Sequence, residues 1–178
     1  MTNADFGYIG RDGVTIYRNC FRIYNEARLK NWKNQKLEKP EEEWSKLIPE
    51  TEEVFFFLVE EGIKNGFNID NILEIPDSMG DTCFGAASLC SEKICNYIIG
   101  RRIEINSINT RMMVPTFDYP NLAVQMMKMG INPHVINYEG YSQVDYNPSS
   151  FESEEAKVLL SKFPRSVHFS IKDIKCKY

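Results

Sequence analysis

The sequence predicts an all-α fold: a short array of helices behind a helical N-terminal cap. Two observations carry that expectation. Apolar residues recur at helical spacing in one segment after another. The segments are short, and each is bounded by a proline, a glycine or a capping residue. Period-two alternation is confined to Val167, Phe169 and Ile171 in the tail, which read as a short strand.

Residues 1–14 carry Gly7, Gly10 and Gly13 and read as an irregular lead-in. From Ile16 a helix begins, with Tyr17, Cys20, Phe21 and Tyr24 at i, i+3, i+4 and i+7. Its pattern fades through Leu29 and Trp32 into a lysine-rich stretch broken at Pro40. Pro40 suits the first turn of a new helix, whose positive end Glu41, Glu42 and Glu43 would favour. Pro49 punctuates the chain again. Thr51 is then expected to cap a helix through Val54, Phe55, Leu58 and Val59. Phe55, Phe56 and Phe57 are consecutive, so this helix is expected to be apolar on several sides and sandwiched between neighbours. Gly62 and Gly66 weaken its end, and residues 69–75 read as an interrupted apolar connection closed by Pro76.

Asp77-Ser78-Met79-Gly80 is a turn sequence, and Thr82 is placed to cap the helix after it. Phe84, Ala86, Ala87 and Leu89 make that short helix, with small residues on one side, and Ser91 and Glu92 break it. Ile94, Cys95, Ile98 and Ile99 make a second one. Ile103, Ile105 and Ile108 come next, in a loop that must be partly buried. Asn109 opens another turn region, and Pro115 sits where a helix can start. A helix from about 121 to 129, with Met126 and Met129 as core, stops at Gly130 as a glycine just past a helix end would. Asn137-Tyr138-Glu139-Gly140 then repeats the turn, and Ser142 follows Gly140 as Thr82 follows Gly80.

These residues resemble the ankyrin repeat, whose pattern is a turn, a Thr-Pro-Leu-His helix start, two short helices and a closing glycine loop. Asp77, Gly80 and Thr82 match the turn, Ala87 the small helix position, Ile98-Ile99 the leucine pair, and Ile105-Asn106 the closing residues. Pro115 matches the helix-start proline of a second unit, and Gly130-Ile131-Asn132-Pro133-His134 its closing loop. Asn137, Gly140 and Ser142 begin a third unit with residues 156–160 as its second helix. Asp77 and Asn109 stand 32 positions apart, and Asn109 and Asn137 stand 28 apart, against a family period of about 33. The chain departs from the family at the Thr-Pro-Leu-His element, which is nowhere intact and has no histidine. The resemblance divides the chain into a helical cap region over 1–49, ankyrin-like repeats over 50–163 and a tail over 164–178. Residues Phe55 to Phe57 and Trp44 would cover the first repeat.

Composition excludes several functional classes. Of 178 residues, 43 % are hydrophobic and 26 % charged, the balance of a chain that can bury a core. A net charge of −4 argues against nucleic acid as a partner, which would select a basic excess. Charge is nevertheless segregated. Arg18, Arg22, Arg28, Lys30, Lys33, Lys36 and Lys39 precede an acidic stretch that begins at Glu41. These read as two solvated faces that attract each other, with a basic docking face as the alternative. Cys20, Cys83, Cys90, Cys95 and Cys176 are odd in number and lie mostly within apolar helical patterns, so a disulfide scaffold is not expected. The first residues lack the basic start and apolar run of a signal peptide. No apolar run approaches the roughly 18 residues that cross a bilayer. The expected compartment is the cytoplasm or the nucleus.

No phosphate-binding glycine motif is present. Cys83, Cys90 and Cys95 lack the spacing of a zinc site, so neither metal nor cofactor is expected. His134 reads as a structural loop residue, and His168 has no acid–nucleophile pattern beside it. The resemblance therefore implies a protein–protein interaction module, an adaptor or regulatory subunit with no catalytic residues. It places the partner-binding surface at the turn tips: Ser78, Met79 and Asp81, then Thr110, Arg111 and Met113, then Tyr138, Glu139 and Tyr141. Tyr138 and Tyr141 are the expected anchors, because tyrosine buries area at low entropy cost. The alternatives are a structural subunit of an obligate complex and a small enzyme with an unrecognised site.

Overall fold

A computed structural model describes residues 5–33, 46–101, 103, 105, 108–109, 114–115, 117, 119–165 and 167–168. The chain is mostly helical, as the sequence predicts. In order it forms α1 (Ile16–Asn19), α2 (Arg22–Lys33), α3 (Leu47–Lys64), α4 (Ile69–Leu73), α5 (Cys83–Ala87), α6 (Glu92–Gly100) and α7 (Pro120–Lys128). Strand β1 (Val135–Ile136), α8 (Gln143–Tyr146), a 3₁₀ turn (Pro148–Phe151), α9 (Glu154–Leu160) and β2 (Val167–His168) complete it. The two strands pair in parallel, Val135 opposite Val167.

One buried cluster runs through the described helices, from Tyr17 on α1 through Phe55, Phe84, Ile94 and Leu122 to Ala156 on α9. Fully burying a side chain of Leu or Phe size contributes about 1.5–3 kcal/mol, so this shared core, rather than helix propensity, holds such short helices. Contacts run from helix to helix: α2 touches α3, α3 touches α6, α6 touches α7, and α7 touches α9. The short helix α1 lies against both α3 and α5.

Several local expectations are corrected. Pro49 does not interrupt the chain but lies in the first turn of α3, where its missing N–H would have had no helical partner. Thr51 is not a cap; its hydroxyl donates to the Leu47 carbonyl at 2.7 Å inside the helix. The helix is not sandwiched on all sides: Phe55 is buried, whereas Phe57 is 59 % exposed. Gly62 serves packing, because a Cβ there would strike the Tyr17 hydroxyl and Ile69. The connection over 69–75 contains α4, capped by Asn68, whose side chain accepts from the Asn71 amide. The helix after Thr82 stops at Ala87, short of Leu89 and Ser91, and Ser91 caps the next one, accepting from the Ile94 amide at 3.2 Å.

In the middle stretch, Ile103 and Ile105 are buried as expected, and so are Val114 and Phe117. Pro115 starts no helix; Pro120 takes the first position of α7 instead. Met126 is buried, but Met129 caps the helix and is exposed. The basic and acidic stretches do not pair as expected among the described residues. Arg18 turns to Asp77, and Arg22 to Glu26 on its own helix. Pro40, residues 41–43, Trp44, Phe169 and Ile171 lie outside the described residues.

Candidate functional site

The two turns read from the sequence have the same internal wiring. In the first, the Asp77 amide donates to the Asp81 carbonyl (2.9 Å) and the Gly80 amide to the Asp77 carbonyl (2.9 Å). The Asp77 carboxylate accepts from the amides of Met79 and Asp81, both at 2.9 Å. In the second, the Asn137 amide donates to the Tyr141 carbonyl at 2.9 Å, and Gly140 donates to Asn137 at 3.0 Å. The Asn137 side-chain oxygen accepts from the amides of Glu139 (3.0 Å) and Tyr141 (2.9 Å). Gly80 and Gly140 sit at φ 80° and 89°, a conformation that an L side chain resists. Thr82 then caps α5, accepting from Gly85. At α8 the Asp145 carboxylate reaches back to accept from the Ser142 amide and hydroxyl, both at 2.7 Å. Those bonds favour the charged form and lower the Asp145 pKa.

A third turn of the same form lies in the lead-in, where the sequence predicts irregular chain. Gly10 donates to the Val14 carbonyl and Gly13 to the Gly10 carbonyl, both at 3.0 Å, with Gly13 at φ 75°. Thr15 caps α1, accepting from the Arg18 amide. This turn lies beside the next, for the Ser78 amide donates to the Asp12 carbonyl at 2.7 Å. The closing glycine loop also occurs twice. Gly66 and Phe67 bond back to Ile63 and Gly62, just as Gly130 and Ile131 bond back to Met127 and Met126. Each helix end is satisfied by a 6→1 and 5→2 pair.

The tip residues divide by what they touch. Ser78 and Met79 are exposed. The Asp81 carboxylate is occupied within the chain, lying 3.6 Å from the Arg18 guanidinium and accepting from the Asn109 side chain at 3.0 Å. Arg18 is anchored at 2.7 Å on buried Asp77. Tyr138 and Tyr141 are 68 % and 53 % exposed, and Glu139 is exposed beside them. Thr110, Arg111 and Met113 lie outside the described residues.

Sequence reasoning missed Tyr146. Its hydroxyl accepts from the Asn137 side-chain amide at 3.0 Å and donates to the Glu139 carboxylate at 3.1 Å. Its ring lies 5.7 Å from that of Tyr141, at 50°. Tyr146 comes nine positions after Asn137, a spacing that signals nothing until α8 folds back over the turn.

Among the described residues no cluster of three metal-ligating side chains occurs, and no helix is long and apolar enough to cross a membrane. Cys83, Cys90 and Cys95 are buried free thiols, and burial pushes Cys83 and Cys95 well above the usual thiol range. His134 lies in the loop before β1. Burial and then the Arg165 charge lower its pKa, opposed by a hydrogen bond to the Leu160 backbone. The class that the geometry defines is a mostly helical protein with recurrent capped turns. No family model and no curated protein matches the chain.

Proposed function

We propose that the chain is a protein-recognition module, an ankyrin-like array that acts as an adaptor or regulatory subunit in the cytoplasm or nucleus. Its binding surface is the face on which the turn tips lie. The observation that carries this reading is the pairing of a rigid turn with exposed aromatic side chains. Tyr138 and Tyr141 are open to solvent on a turn whose backbone is fixed by Asn137 and Gly140. Exposed tyrosines on a pre-ordered scaffold are what interface hot spots are made of. The recurrence of the turn supports the array, since stacked units bury a core that no unit buries alone. Free buried cysteines fit a reducing compartment. The reading gives no residue a catalytic role.

Capture from native lysate, with the whole chain as bait, tests it. A specific partner should be retained by the wild type and lost by the Tyr138→Ala/Tyr141→Ala variant, while circular dichroism and melting temperature stay unchanged. Retention of that partner by the folded double variant removes this face from consideration.

One observation favours a second reading, a constitutive subunit of a larger assembly. Val54 and Phe57, three apart on α3, are 48 % and 59 % exposed, so they share one side of the helix, and grouped exposed apolar side chains mark interaction surfaces. Aggregation of the isolated chain, cured by one co-expressed partner, would decide for that reading.

A further inference from the structure

The chain uses one arrangement twice within itself. On α6, the Lys93 ammonium lies 5.0 Å from the centre of the Phe56 ring and 3.4 Å from the Glu52 carboxylate. At the far end of the same helix, the Arg101 guanidinium lies 5.4 Å from the centre of the Tyr97 ring and pairs with Asp70. Each is a cation held between an aromatic face and a carboxylate. The electron-rich ring face and the anion attract it together.

At the last turn the same aromatic and anionic parts stand without the cation. The rings of Tyr141 and Tyr146, 5.7 Å apart and inclined at 50°, make an open corner. Both are exposed, at 53 % and 45 %, and Tyr138 stands at the tip at 68 %. The Glu139 carboxylate is fixed at the edge of this corner by the Tyr146 hydroxyl, 3.1 Å away. That hydroxyl is itself held by the Asn137 side chain. Among the described residues no lysine or arginine pairs with Glu139 or lies over these rings. The geometry is set before any ligand arrives, so little freedom is lost when one binds.

We propose that Tyr138, Tyr141, Tyr146 and Glu139 form a receptor for a basic segment of a partner protein, taking an arginine side chain against the tyrosine rings and the Glu139 carboxylate. This rests on the recognition reading and names the chemistry of its partner. Arginine suits the site better than lysine, because its planar guanidinium stacks on an aromatic face while its edge donates to a carboxylate. An acidic or wholly apolar partner would leave Glu139 buried without a counter-charge.

The test is an NMR titration of the full-length chain, with the tyrosine rings labelled. The probes are the capped peptide Gly-Arg-Gly-Arg-Gly and its twin with citrulline in place of arginine, which keeps the shape and loses the charge. Saturable shifts of the Tyr141 and Tyr146 ring signals are expected with the arginine peptide. Binding should be about tenfold weaker for the citrulline twin, for Glu139→Gln and for Tyr141→Ala. Glu139→Gln is an exposed isosteric change, so it keeps the test open if Tyr141→Ala disturbs the fold. Equal binding of the two peptides, or no saturable shift, overturns the proposal. If a captured partner is lost by the double tyrosine variant but held by Glu139→Gln at high salt, recognition stands and the basic segment falls. Retention of the partner by both variants removes this face, and the basic-segment receptor with it.

Discussion

The Ser78 amide donates to the Asp12 carbonyl oxygen at 2.7 Å, and that bond joins two turns that lie far apart in sequence. The joint is closed from below by Arg18, which leaves α1 to reach Asp77 at 2.7 Å and Asp81 at 3.6 Å. Asp77 thus does two things: its carboxylate holds the turn backbone and it anchors the cation of α1.

These two roles separate by substitution. Asp77→Ala removes both and leaves Arg18 largely buried without its main partner. We expect a loss of about 3 kcal/mol in urea unfolding. Asp77→Asn keeps the turn bonds, as Asn137 does in the equivalent position, and loses only the ion pair. It should cost roughly half as much. Equal costs for the two variants would mean that the turn bonds contribute nothing.

Gly13 and Gly140 share a positive φ, of 75° and 89°, but not their surroundings. Nothing lies within 4 Å of a Cβ built on Gly140, whereas one on Gly13 meets the Pro76 carbonyl at 2.8 Å and Asp77 Cα at 2.9 Å. Gly140→Ala should therefore cost about 1 kcal/mol, the backbone penalty alone. Gly13→Ala should cost at least about twice that, because two turns must move apart. Thermal melts of the two variants decide it.

The His134 pKa is lowered in the folded chain, first by burial. The unfolded chain therefore binds more protons just below the ordinary histidine value of 6.5. Stability from this group is present above 6.5, falls as the pH drops through that value, and levels off below the folded pKa. The urea midpoint should decline as the pH falls through 6.5, and His134→Gln should flatten that decline.

Burial raises the thiol pKa of Cys83 and Cys95, and Cys90 is buried among them. A thiol must ionise and meet its reagent to react. We expect a disulfide reagent to leave Cys83, Cys90 and Cys95 untouched in the folded chain and to modify all three in urea, as read by peptide mapping. Modification of any of them under native conditions would show that the core opens readily.

Much of the fold is legible in the sequence because its signals are local. Asp77 with Gly80 and Asn137 with Gly140 announce turns by side-chain acceptor and glycine together, and both turns form. The Gly10–Thr15 turn escapes notice because Gly10 supplies no side-chain acceptor, leaving only Gly13 and the Thr15 cap as signals. Pro49 misleads because a proline reads as a break unless its place in the helix is known. The paired cations of α6 and the fold-back of Tyr146 are not legible at all. They depend on which helix lies beside which, and no residue spacing encodes that. Of the proposed site, the exposure of Tyr138, Glu139 and Tyr141 follows from the turn alone; Asp81 belongs to its turn too, but is engaged within the chain by Arg18 and Asn109.

The succession α3–α6–α7–α9 has an outcome for how the molecule breathes. At its C-terminal end, α9 leans on α7 and on the 3₁₀ turn, and that turn leans on α8 and α7, so the segment from the tyrosine turn to α9 meets the rest of the chain chiefly through α7. Amide exchange should run fastest at α9 and slow toward α6. The tyrosine turn lies in that segment, directly before α8. A ligand clasped there would act as a doorstop, and its grip would be felt as slower exchange several helices away.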